Sequence, residues 1–88
     1  MWVQAYRHPR VARDRVELEA RWRDLVAHVV SDGTATGEIG PVDVRGFAVA
    51  WCALLDGLSI QVALSDPEVD PDRAFTIAMD FASRYLAL

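Results

Sequence analysis

The sequence reads as an all-α domain of three main helices, on three grounds. Residues 44 to 64, VRGFAVAWCALLDGLSIQVAL, have the length of a long helix and are apolar on nearly every side. Residues 10 to 32 and 71 to 88 repeat apolar side chains at spacings of three and four, the helical period. No run alternates with period two for long enough to make a strand. The length of 88 residues allows one domain, which at this size buries a modest share of its surface. The hydrophobic fraction of 52 % lies slightly above the usual share, so one protomer is left with apolar surface to cover.

In the first helix, 10–32, Leu18, Trp22, Leu25 and Val29 form the apolar stripe, with Val11 one heptad before Leu18. Arg13, Glu17, Arg21 and Asp24 occupy the opposite face. Arg13–Glu17, Glu17–Arg21, Arg15–Glu19 and Glu19–Arg23 are i,i+4 pairs, each contributing about 0.2–0.5 kcal/mol. Pro9 precedes the helix, so residues 2–8 read as a separate short helical piece. Gly33 is placed to close the helix in a left-handed conformation. The segment 33–42, GTATGEIGPV, is a loop rich in Gly and Pro, with Ile39 as its anchor to the core.

Asp43 is the natural N-cap of the second helix, which runs to about Ser65. Its Gly57 costs about 1 kcal/mol against Ala in a helix interior, which close approach of another backbone at a helix crossing would explain. A helix apolar all round must be covered all round. Two other helices cannot cover every side, so the rest should meet another copy, another chain or a small molecule. Asp70 caps the third helix and Pro71 takes its first position, where a missing N–H is harmless. That helix runs to near Leu88 with an apolar band too broad for one neighbour, from Ala74 and Phe75 to Tyr85 and Leu86.

The chemistry-bearing residues exclude more than they propose. The net charge is −4, and the nine basic residues, all Arg, are mixed with acids rather than gathered in a patch, so no nucleic-acid binding is expected. His8 and His28 have no second ligand at metal spacing, and no metal or cofactor is expected. GTATGEIG lacks the Lys of a phosphate loop, and no serine sits in a nucleophile elbow, so the chain does not read as an enzyme. Cys52, the single cysteine, reads as a small core residue and fits a reducing cytoplasm. The N-terminus has no apolar region of a secretory signal. The stretch 46–64 is near the ~20 residues of a membrane span. Asp56 within it would cost about 2.5–3.5 kcal/mol on insertion, and no Lys/Arg cluster marks its ends, which argues against a span. Asp56 is open to two readings: an acid that contacts a ligand or pairs across an interface, or one that reaches solvent or a helix end.

The order of features resembles the C-terminal regulatory domain of tetracycline-repressor-type (TetR) regulators, in their betaine-repressor-like branch. It is carried by the tryptophan-led opening Trp2 to Pro9, by RWRDLVAHVVSDGTATGEI followed by Asp43, and by ALLDGLSIQVAL, residues 53–64, before a short Asp/Pro connection and a last helix. The resemblance implies that helices 43–65 and 71–87 form half of an intermolecular four-helix bundle in a homodimer. Its candidate interface residues are Phe47, Trp51, Leu54, Gly57, Leu58, Gln61, Phe75, Ala78, Phe81, Ala82 and Tyr85. The first helix would wall part of an effector pocket, with Trp22, Leu25 and Val29 facing Phe47, Trp51 and Leu55, and with Asp56 or Gln61 orienting a mostly apolar small molecule. The family's helix-turn-helix domain is missing, so residues 1–88 read as a C-terminal dimerisation and ligand-binding fragment without DNA-binding residues. An alternative is a small helical interaction protein that heterodimerises with another regulator and modulates it.

Overall fold

The computed structural model describes residues 9–88, all of whose regular structure is helical. The helices are α1 (Pro9–Ala35), α2 (Val44–Ala63) and α3 (Pro71–Tyr85). The short helical piece expected over residues 2–8, with His8, lies outside the described residues.

Local chemistry accounts for the boundaries. Asp43 caps α2 by accepting the Gly46 N–H at 2.9 Å, and Asp70 caps α3 by accepting the Arg73 N–H at 2.7 Å. Pro71 stands at the start of α3, as expected. Both helices end slightly earlier than the sequence suggests, because Ser65 and Ala87 turn left-handed (φ 56° and 55°). The residues after them donate back into the last turn, Asp66 N–H to Gln61 O and Leu88 N–H to Ser83 O.

The end of α1 corrects one expectation. The helix runs through Gly33 to Ala35, and the left-handed residue is Gly37 (φ 83°). Gly33 serves a different need. The loop folds back so that Ile39 donates its N–H to Gly33 O at 3.0 Å, and a Cβ at Gly33 would stand 2.6 Å from Ile39 Cδ1. Ile39 is thereby seated against the core.

The three helices lie side by side with α2 in the middle. No Cα of α1 comes within 8 Å of one in α3. The least dimension of the molecule is 13 Å, about one helix with its side chains, against 44 and 33 Å in the other directions. The core gathers at one corner, where Val30 of α1, Phe47 of α2, and Ala82 and Leu86 at the end of α3 meet, with Val26, Ile39, Val42, Val44, Trp51 and Phe81 against them. Phe47 centres an aromatic cluster, with ring centroids 5.7 Å from Trp51, 6.0 Å from Phe81 and 5.3 Å from Tyr85.

The packed face of α1 is not its apolar stripe. Leu18, Trp22, Leu25 and Val29 are 51–61 % exposed. Toward α2 the helix turns Ala12, Arg15, Glu19, Arg23, Val26, Ala27 and Val30. Small residues bring the backbones together at the closed end (Ala27 and Ala48 are buried), and ion pairs fill the seam toward the other end.

Candidate functional site

The centre of the molecule is a ridge on α2 formed by Trp51, Leu55 and Ser59, one helical turn apart. A groove lies on each side of it. The α1–α2 groove, about 270 Å³, is lined by Glu19, Trp22 and Val26 of α1 and by Trp51, Cys52, Leu55, Asp56 and Ser59 of α2. The α2–α3 groove, about 480 Å³, is lined by the ridge with Leu58, Val62 and Ala63, and by Pro71, Ala74, Phe75, Ala78 and Met79.

Of the eight residues expected around an effector pocket, four, Trp22, Trp51, Leu55 and Asp56, are brought together in the α1–α2 groove. Leu25 and Val29 are not among its lining residues and stand 54 % and 61 % exposed. Phe47 is buried in the core corner. Glu19, Val26, Cys52 and Ser59, none of them expected at a pocket, complete the lining. For Glu19 a signal was present: Ala12, Arg15, Glu19, Arg23 and Val26 follow one another at helical spacing beside the apolar stripe.

The polar end of this groove is an ion-pair cluster between helices. Arg15 Nη2 lies 3.2 Å from Glu19 Oε1 and 3.4 Å from Asp56 Oδ2. Asp56 thus pairs with Arg15 of the same chain, an arrangement that neither reading of it named. Arg23 Nε is buried and finds no hydrogen-bond partner among the described residues. Burial raises the Glu19 pKa, and the hydrogen bond and negative charge of Asp56 raise it further, against the opposing pull of Arg15 and Arg23. The buried Cys52 thiol is pushed up by burial first, then by the charge of Glu19. No group of three His, Cys, Asp or Glu among the described residues could hold a metal ion. His28 pairs loosely with Asp32, 3.5 Å away on the exposed end of α1.

The residues expected at a dimer contact divide into four sets. Phe47, Leu58, Ala78 and Ala82 are buried between the helices of the chain itself. Trp51 and Phe75 line the α2–α3 groove, where Phe75 remains 67 % exposed. Leu54, Phe81 and Tyr85 line a third groove of about 440 Å³ with Ile77, Asp80 and Arg84, sharing no residue with the other two. Gly57 and Gln61 are exposed, three and seven residues beyond Leu54 on the same side of α2. Nothing lies within 4 Å of the position a Cβ would take at Gly57, so no helix of this chain makes the close crossing expected there.

α2 is the one helix among the described residues long and apolar enough to cross a membrane. Its middle position between two helices and the Asp56–Arg15 pair give it the setting of a central helix in a domain. No curated protein and no solved structure matches the chain. The family of BetI-type transcriptional repressor C-terminal domains matches residues 1–87, and with nearly the whole chain and the all-helical fold in agreement, the protein belongs to that family.

Proposed function

We propose that this chain is the regulatory and dimerisation module of a TetR-type transcriptional regulator, supplying dimer contacts and part of an effector pocket in the cytoplasm. The observation that carries this reading is the single layer of helices. Stable domains pack at least two layers around a core. Here α2, the most apolar element, is bounded laterally by α1 and α3 and left open on both faces, with Val49 and Leu64 exposed on one and Leu55 on the other.

The two faces suit different tasks. On one, Ala50, Ala53 and Gly57 follow at spacings of three and four, beside Leu54, Phe81 and Tyr85. Small residues there let a second α2 approach closely. A two-fold pairing of α2 and α3 closes a four-helix bundle, and Asp80 and Arg84 at its edge supply both signs of charge to a self-complementary contact. On the other face, the Trp22–Trp51–Leu55 groove gives an effector an apolar wall with one polar end at Asp56. An effector acts in such a system through its differential affinity for two arrangements of the dimer.

Light scattering coupled to gel filtration tests the first half. The expected species is a dimer that persists at micromolar concentration. A stable 9.8 kDa monomer at high micromolar concentration would overturn the reading.

A further inference from the structure

We propose that the first half of α1 is a hinged flap over α2, pivoting at its far end and latched by Arg15, and that its opening uncovers Cys52. The motion needs neither a second copy nor an effector. From Pro9 to Val26 no residue of α1 is buried, and the first that is buried is Ala27. Beyond it the helix is fixed. Val30 packs with Phe47 in the core, Ala27 and Ala48 are buried, and Ile39 is seated against Gly33. That end is the pivot. α3 does not reach α1, so it gives the flap no support.

The flap faces α2 through half-buried Ala12, Arg15, Glu19 and Arg23. Its latch is Arg15, whose Nη2 lies 3.4 Å from Asp56 Oδ2 on α2 and 3.2 Å from Glu19 Oε1 on its own helix. The Arg15 and Asp56 side chains are 31 % and 35 % exposed, so dissolved ions reach and screen the pair. Glu19 keeps a carboxylate beside the guanidinium when Asp56 is released, so opening does not strand the charge. The closed seam also carries a cost. Arg23 Nε is shut away from water with no partner among the described residues, and opening hydrates it. The lever is long. A tilt of about 10° over the ~18 Å from Ala27 to Arg15 moves the latch about 3 Å, which takes Arg15 out of reach of Asp56.

Cys52, the single cysteine, is 6 % exposed and lines the α1–α2 groove with Glu19 and Trp22, so its reaction rate reads the opening. The test is the rate at which 4,4′-dithiodipyridine, an uncharged disulfide, reacts with Cys52 in the full chain, read from the thiopyridone released. Sodium chloride is raised from ~0.05 to ~1 M, where the screening length falls to about 3 Å. Each rate is divided by that of the urea-unfolded chain at the same salt, which removes the effect of salt on the thiol itself. We expect the ratio to rise about two- to fivefold with salt, the span of a partly exposed ion pair. It should change little with urea below the unfolding transition, as a local opening does. Asp56→Asn should react at the high-salt rate in either salt. Arg84→Gln, which removes the Arg84–Asp80 pair on α3, should behave as the parent. A parent rate indifferent to salt overturns the proposal. So does one that follows the full urea slope, because Cys52 is then reached only by unfolding. Both readings use the parent chain and decide the matter even if Asp56→Asn does not fold. A folded Asp56→Asn variant that keeps the parent's salt response overturns it equally.

Discussion

At the start of α2 there is no room for a side chain at residue 46. A Cβ built on Gly46 collides with the carboxylate of Asp43 and stands 2.9 Å from the Tyr85 hydroxyl. The same carboxylate caps the helix by accepting the Gly46 N–H. Gly46→Ala therefore gains helix propensity of about 1 kcal/mol but must displace the cap, which is worth about 0.5–2 kcal/mol, and disturb Tyr85 as well. We expect a net loss of stability of about 1 kcal/mol, read as a lower urea midpoint at an unchanged slope. Asp43→Ala should give a loss of the same order without the clash. A Gly46→Ala variant more stable than the parent would refute this account of the cap. None of this could be read from the sequence beyond the identity of the cap. Asp43 carries a local signal, its position before an apolar helical run, whereas the approach of Tyr85 from α3 depends on tertiary packing.

Among the elements, α2 holds side chains of different fates at neighbouring turns. Phe47 is 4 % exposed and touches three other aromatic rings, while Trp51, one turn on, is half-buried and forms the ridge between two open grooves. Truncating a buried aromatic costs about 3–5 kcal/mol. Phe47→Ala should fall in that range and leave the chain largely unfolded at 37 °C. Trp51→Ala should cost clearly less and leave far-UV circular dichroism near that of the parent. Equal losses, or the reverse order, would count against the corner core. The helices themselves were legible because their signals are local: Asp43 and Asp70 caps, Pro71, and the helical spacing of apolar residues. Which face α1 turns inward was not. Its stripe of Leu18, Trp22, Leu25 and Val29 is a true helical stripe, but periodicity names a face without naming its neighbour. Here the neighbour α2 takes the adjacent column instead, where Asp56 finds Arg15 and Glu19.

For the molecule as a whole, one layer of helices leaves two open faces, and the charge of the chain suits neither to nucleic acid. At net charge −4, with Arg15, Arg45 and Arg84 each paired to acids, the chain offers no run of basic side chains to a phosphate backbone. A gel shift at ~150 mM salt, where phosphate contacts are already weakened, should show no retarded duplex below micromolar protein. The two faces can be separated at adjacent positions of one helix. Leu54 lines the groove with Phe81 and Tyr85, while Leu55 lines both grooves flanking the Trp51 ridge. Successive helical residues point about 100° apart, so a charge at one position reaches a different surface from a charge at the next. Burying an unpaired carboxylate in an interface is strongly unfavourable, while the same group at an open groove stays hydrated. Leu54→Asp should therefore shift the proposed dimer to monomer in light scattering and leave the binding of a hydrophobic fluorescent probe. Leu55→Asp should keep the dimer and weaken probe binding. The reverse assignment would exchange the roles of the two faces. If both variants dissociate, a single surface serves both tasks. The Leu54 result alone then decides whether the groove with Phe81 and Tyr85 belongs to the contact.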